Sequence, residues 1–120
     1  MTEKTALQPV DYARLAVDVA SDKLASDILM LDIREISDFS DYFVLMTAES
    51  RRQLSSLAED VEHALERSGS VRHHREGNPQ SGWTLLDFGD VVVHIFGPEE
   101  RQFYDLESAW SEATEVVRIQ

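Results

Sequence analysis

Two apolar runs separated by a tight turn limit the fold of this chain more than any other feature. Residues 83–96 read WTLLDFGDVVVHIF, with Phe88-Gly89-Asp90 between the two runs. Glycine readily takes the positive φ that a short hairpin turn requires. We therefore predict antiparallel strands over Trp83–Asp87 and Val91–Phe96.

The pairing within this hairpin suggests what its faces contain. With Phe88-Gly89 as a two-residue turn, Asp87 would lie opposite Asp90, and two like charges in that position destabilise a strand pair. An aromatic patch beside such acids is typical of an interface. Alternatively, the two aspartates accept hydrogen bonds from turn amides and Trp83 belongs to the core. We predict that Trp83, His94 and Phe96 lie on the same face of the hairpin as the two aspartates.

The remaining patterns predict an α/β fold in the order α-β-β-α-β-β-β-α. This order indicates a mixed β-sheet flanked by helices, within one domain over residues 1–110 and a C-terminal tail over 111–120. The predicted elements are a helix over 9–25, strands over 28–33 and 42–47, a helix from Ser50 to Gly69, a short strand over 71–75, a polar loop over 76–82, the hairpin, a helix from Pro98 through Trp110, and an extended piece over 116–119.

The charge of the chain restricts its partners. It has 23 acidic and 11 basic residues, for a net charge of -12. Such a chain is repelled by phosphate backbones, so we expect no direct nucleic-acid binding and attraction to basic surfaces. The alternative is that the acidity serves solubility alone. From residue 87 to 107 there are six acids and one base, a local excess that a basic protein surface would relieve.

Several chemistries are disfavoured by what the sequence lacks. There is no cysteine, no nucleophile-elbow motif and no glycine-rich phosphate loop. No apolar run is long enough for a membrane span, and the N-terminus lacks a secretory signal pattern, so we expect a cytoplasmic protein. A metal-dependent nucleotidyl or phosphoryl transferase using Asp32 and Asp87 remains as an alternative. It lacks an Asp-x-Asp pair and a nearby basic cluster, so we predict no enzyme activity, no metal and no cofactor.

Five segments together are similar to one known family. In order and spacing they resemble the ribosomal silencing factors (RsfS, Iojap-like), over roughly residues 10–110. The segments are Asp41-Tyr42-Phe43-Val44, Ser50-Arg51-Arg52-Gln53, Arg75-Glu76-Gly77, the hairpin from Trp83 to Phe96, and Arg101 to Glu107 with Trp110.

The resemblance implies a fold, a partner and a site. It implies a nucleotidyltransferase-like fold without the catalytic motif, and binding to the basic ribosomal protein L fourteen on the intersubunit face of the large subunit. Binding there would block joining of the small subunit and silence translation when nutrients are scarce; homodimers are also implied. An assembly factor that binds the large subunit without silencing is the remaining alternative. The implied partner-binding residues are Trp83, Asp87, Phe88, Asp90, Phe96, Glu99, Arg101 and Tyr104.

Overall fold

A computed structural model describes residues 7–120. The first six residues of the predicted domain, which also belong to the segment examined for a secretory signal, lie outside the described residues. The elements are α1 (Pro9–Asp22), β1 (Ser26–Asp32), β2 (Tyr42–Thr47), α2 (Arg51–Arg67), β3 (His74–Asn78), β4 (Trp83–Asp87), β5 (Val91–Phe96), α3 (Pro98–Tyr104), α4 (Leu106–Ala109) and β6 (Thr114–Ile119), with a 3₁₀ turn at Pro79–Ser81.

The strands form one mixed sheet in the order β3-β4-β5-β2-β1-β6. The central pair β2 and β5 is parallel and every other pair is antiparallel. Both central strands are buried along their whole length, as their continuous apolar sequences predict. The predicted α/β fold with a mixed sheet flanked by helices is therefore confirmed.

The two long helices cover one face of the sheet. Helix α1 buries a stripe of small residues, Ala13, Ala16, Val17 and Ala20. Ser50 caps the N-terminus of helix α2, and its Oγ accepts a hydrogen bond from the Gln53 amide at 3.0 Å. The Gln53 side chain in turn accepts a hydrogen bond from the Glu49 amide at 2.7 Å. These helices and the sheet face beneath them form the larger core.

The second face of the sheet is covered only in part. Its buried residues form a smaller core, against which side chains of β4, α4 and the segment after α4 pack. The short helices α3 and α4 are too small to shield the whole face. We call this side of the sheet the open face. No helix within residues 7–120 combines the length and apolar character needed to cross a membrane.

The hairpin register corrects the predicted one. Asp87 lies opposite Val92 and Trp83 lies opposite Phe96, so Asp87 does not face Asp90. The turn residues are Gly89 and Asp90, since the Phe88 amide donates to the Val91 carbonyl at 2.9 Å. Gly89 has φ +88°, which favours glycine at the first central position of the turn. A two-residue shift preserves the faces, because side chains alternate with period two.

Other boundaries also differ from the predictions. Helix α1 ends at Asp22 and not at residue 25, and β1 covers Ser26–Asp32 and not 28–33. Strand β3 runs over 74–78, so part of the predicted polar loop pairs with β4 as an edge strand. The last predicted helix breaks at Asp105, whose φ is +46°, into α3 and α4. The extended piece predicted over 116–119 in the C-terminal tail is confirmed, but β6 begins earlier, at Thr114, and pairs along β1 at the other sheet edge.

Candidate partner-binding surface

Trp83 lies on the open face, on strand β4. It is half-buried, and its indole Nε1–H donates to His94 Nδ1 at 3.3 Å. Its ring stacks on Phe96 with centroids 5.2 Å apart and lies 4.5 Å from the ring of Tyr104 on α3. The indole is therefore held by a buried polar partner below and an exposed aromatic ring beside it.

Aromatic contacts continue from Trp83 in both directions across the open face. On one side Tyr104 packs edge-on against Phe103 at 5.1 Å. On the other, His94 meets Phe43 at 4.9 Å, and Phe43 meets Trp110 at 4.8 Å. We call these rings the aromatic chain; it comprises Phe39, Phe43, Trp83, His94, Phe96, Phe103, Tyr104 and Trp110.

The ends of the aromatic chain are open to solvent. Phe39 is 65% exposed, Phe103 80% and Tyr104 45%. Exposure of large aromatic side chains to water is unfavourable in free energy, and such side chains are enriched at the centres of protein interfaces. The open face therefore has the character of a protein-binding surface.

His94 is a buried, neutral support for this surface. It is 4% exposed, and burial lowers its pKa to about 4. Because Nδ1 accepts the bond from Trp83, Nε2 carries the ring proton. Within residues 7–120 that nitrogen is buried without a hydrogen-bond partner. A buried polar group without a partner costs stability. We therefore interpret His94 as the hydrogen-bond acceptor that fixes the Trp83 indole.

Arg101 joins the short helices to the sheet. Its guanidinium donates to Thr47 Oγ1 at 2.8 Å and forms an ion pair with Glu107 at 3.0 Å. The Arg101 side chain is only 9% exposed. This clamp anchors α3 and α4 at the end of β2, and so it fixes where Tyr104 lies relative to Trp83.

The predicted site residues do not all reach the surface. Trp83 and Tyr104 meet on the open face, while Asp90 and Glu99 are exposed. Asp87 is half-buried, and its Oδ1 accepts from the Gly89 amide at 2.7 Å, so it stabilises the turn.

Three predicted site residues are buried, which corrects the expectation that they face a partner. Phe88 packs in the core beneath the helices, on the opposite side of the sheet from Trp83. Phe96 is fully buried under Trp83, and Arg101 is held in its clamp. Phe96 and Arg101 therefore support the surface instead of forming it, and Phe88 belongs to the larger core.

Two exposed residues near Trp83 were not predicted as part of the site. Glu76 lies directly opposite Leu85, and so it projects from the open face. Phe103 extends the aromatic chain from α3. Glu76 lay in a predicted loop, where no face can be assigned. Phe103 occupied an apolar position of a predicted helix, which ordinarily indicates core.

The geometry argues against the transferase alternative. Asp32 on β1 and Asp87 on β4 are separated by two strands, about 14 Å at the usual strand spacing. Asp32 is also paired with Arg34, whose side-chain hydrogen bonds hold the pKa of Asp32 below its usual value. Within residues 7–120, no three His, Asp or Glu side chains are grouped so as to hold a metal ion.

Comparisons with known proteins agree on one family. The family model described as "Ribosomal silencing factor during starvation" matches residues 6–120. Ribosomal silencing factor RsfS of Bacillus subtilis is 37% identical over 100 residues, covering 83% of this chain and 85% of its own. A crystal structure of a Chromobacterium violaceum protein is 31% identical, with TM-score 0.84 over 88% of each chain. A mouse protein, "Mitochondrial assembly of ribosomal large subunit protein 1", is 30% identical, and the match covers 44% of its length.

Proposed function

Since the chain belongs to the ribosomal silencing factor family, we propose that it binds ribosomal protein L fourteen on the intersubunit face of the large ribosomal subunit. Bound there, it blocks joining of the small subunit and represses translation when nutrients are limiting. It acts in the cytoplasm as a regulator and not as an enzyme.

The observation that carries this proposal is the aromatic chain on the open face. Exposed rings at Phe103 and Tyr104 lie beside half-buried Trp83. Glu76 and Glu99 add carboxylates nearby. An apolar centre with acids around it complements a basic protein surface, whereas the net charge of -12 disfavours direct contact with ribosomal RNA.

The proposed contact residues divide into two groups. Trp83, Asp87, Asp90, Glu99 and Tyr104 form the contacting group. The buried residues Phe96 and Arg101 support this group, since Phe96 stacks on Trp83 and Arg101 anchors the helix that carries Tyr104. Phe88 packs in the larger core on the other side of the sheet.

Blocking is steric. The described chain measures 50 × 31 × 25 Å, so one copy seated on the intersubunit face occupies space that the small subunit needs. No conformational change is required for this mechanism. The free protein is proposed to form a homodimer, as the family resemblance implies.

Co-sedimentation with purified large subunits tests the proposal. The chain should sediment with large subunits, lose affinity as salt rises because exposed charges steer binding, and reduce joining when small subunits are added. Excess competitor RNA should not displace it. A chain that does not sediment with large subunits, or that sediments with them and leaves joining unchanged, would refute the proposal.

A second candidate function is assistance in large-subunit assembly, which the name of the mouse relative favours. The two functions separate by stage of action. An assembly factor would bind immature large subunits in preference to mature ones, and its deletion would accumulate those precursors during rapid growth. A silencing factor would bind mature subunits and matter chiefly after a nutrient downshift.

A further inference from the structure

A small cavity opens on the open face between β3, β4 and α3. Its volume is about 130 Å³, and its lining is Glu76, Gly77, Ser81, Trp83, Leu85 and Tyr104. It shares the lining residues Ser81 and Tyr104 with a wider groove of about 540 Å³. The groove also contains Glu99, Glu100 and Phe103. The cavity thus lies beside an acidic, aromatic groove.

The cavity combines two features that attract a cation. Trp83 and Tyr104 lie with their rings 4.5 Å apart and tilted by 43°, and aromatic faces attract cations. Glu76 supplies a carboxylate, opposite Leu85 on the neighbouring strand. No lysine or arginine among residues 7–120 lines the cavity or the groove.

Polar groups of the lining form hydrogen bonds with other groups of this chain, so the cavity stays open to a cation from a partner. The Ser81 hydroxyl lies 2.8 and 3.0 Å from the Asn78 and Trp83 carbonyl oxygens, so its one proton is already engaged by them. The Trp83 N–H points to His94 beneath the sheet surface. Glu76 contacts His74 at 2.8 Å, but both side chains remain more than half exposed. The carboxylate of Glu76 is therefore accessible to a cation.

We propose that this cavity receives an arginine side chain from the basic partner protein, a step that rests on the proposed function. The guanidinium packs against Trp83 and Tyr104 and pairs with Glu76, while the chain that carries it lies along the acidic groove. A planar guanidinium can stack on a ring and bond a carboxylate at once, which a lysine ammonium does less well. Its four heavy atoms suit a cavity with room for about four waters at roughly 30 Å³ each.

A double-mutant cycle on large-subunit binding tests the proposal. Glu76→Gln and Tyr104→Leu should each weaken binding about fivefold, as expected for cation contacts at a desolvated site. The double variant should weaken binding by less than the product of the two single effects, because both side chains contact the same guanidinium. Glu59→Gln removes an equal charge from the exposed side of α2 and should leave binding unchanged. If Glu76→Gln binds like Glu59→Gln, the cavity proposal fails while the proposed function stands.

A ribosome-free experiment separates this proposal from the proposed function. Acetyl-arginine amide should shift the Trp83 indole and Glu76 amide signals in a nitrogen-15 NMR titration. The neutral isostere acetyl-citrulline amide should not, and Trp110→Phe identifies which indole signal is which. Equal shifts with both compounds, or none with either, would overturn the cavity proposal whether or not the chain binds large subunits.

Discussion

Burial of His94 predicts a specific dependence of stability on pH. Its imidazole is nearly inaccessible, accepts a hydrogen bond from Trp83 at Nδ1 and has a pKa of about 4. The unfolded chain takes up a proton on this side chain near its ordinary pKa of 6.5, well before the folded chain does. Protonation therefore favours the unfolded state. The stability that depends on neutral His94 is complete above about pH 7, falls as pH drops below 6.5 and stops falling below pH 4.

The size of the effect follows from the two pKa values. With 6.5 in the unfolded chain and about 4 in the folded one, His94 alone removes about 2 kcal/mol of the free energy of unfolding between pH 7 and pH 5, and about 3 kcal/mol by pH 4. Such a loss is a large share of the stability of an ordinary small domain.

Urea unfolding of the wild type and His94→Gln at pH 7 and pH 5 measures this contribution. Glutamine keeps an acceptor for the Trp83 indole but does not titrate. Between pH 7 and pH 5 the free energy of unfolding of the wild type should fall by about 2 kcal/mol more than that of the variant. The contributions of carboxylates and exposed histidines are the same in both proteins and cancel in the comparison. Equal losses in both proteins would show that His94 is not held neutral by burial, and the account of how Trp83 is supported would fall with it.

Three further predictions concern the parts that position the open face. Arg101→Met should lower the free energy of unfolding by about 2 kcal/mol, because it breaks charged hydrogen bonds at a buried site. Arg118→Met, at an exposed ion pair, should change the free energy of unfolding by less than about 0.5 kcal/mol. Equal values for the two variants in urea unfolding would contradict this prediction. Ser50→Ala should cost about 1 kcal/mol as a lost helix cap, and exposed Ser56→Ala on the same helix should cost nothing. Gly77→Ala should lower the melting temperature sharply, because φ is +81° and its Cβ would lie 1.9 Å from a carbonyl of the next strand; an unchanged melting temperature would refute the β3 geometry.

The fold could be predicted where local signals are strong. The continuous apolar sequences of β2 and β5 identify buried strands, and the Ser50 cap fixes the start of α2 within one residue. Edge strand β3 carries only polar residues and glycine, so its pairing depends on backbone bonds to β4, which leave no pattern in its side chains. The break at Asp105 leaves no sequence pattern either, since a single residue with φ +46° interrupts the helix.

The site was predictable in part for a similar reason. Period-two alternation placed Trp83, His94 and Phe96 on one face, and that grouping held although the register was two residues off. Alternation alone cannot say how much of that face other elements cover. The burial of Phe96 and the exposure of Tyr104 depend on where the short helices lie, and therefore on Arg101 contacts distant in sequence.

The most direct test of the central claim measures subunit joining against protein concentration. Tyr104→Ala and Trp83→Ala alter the open face, and Val71→Ala removes an exposed apolar side chain outside the aromatic chain. The wild type and Val71→Ala should block joining at the same concentration, and each open-face variant should need about fivefold more, the equivalent of about 1 kcal/mol. Urea unfolding of each variant confirms that it is folded under the assay conditions. If the folded open-face variants block joining as well as the wild type does, the open face is not the surface that silences the ribosome.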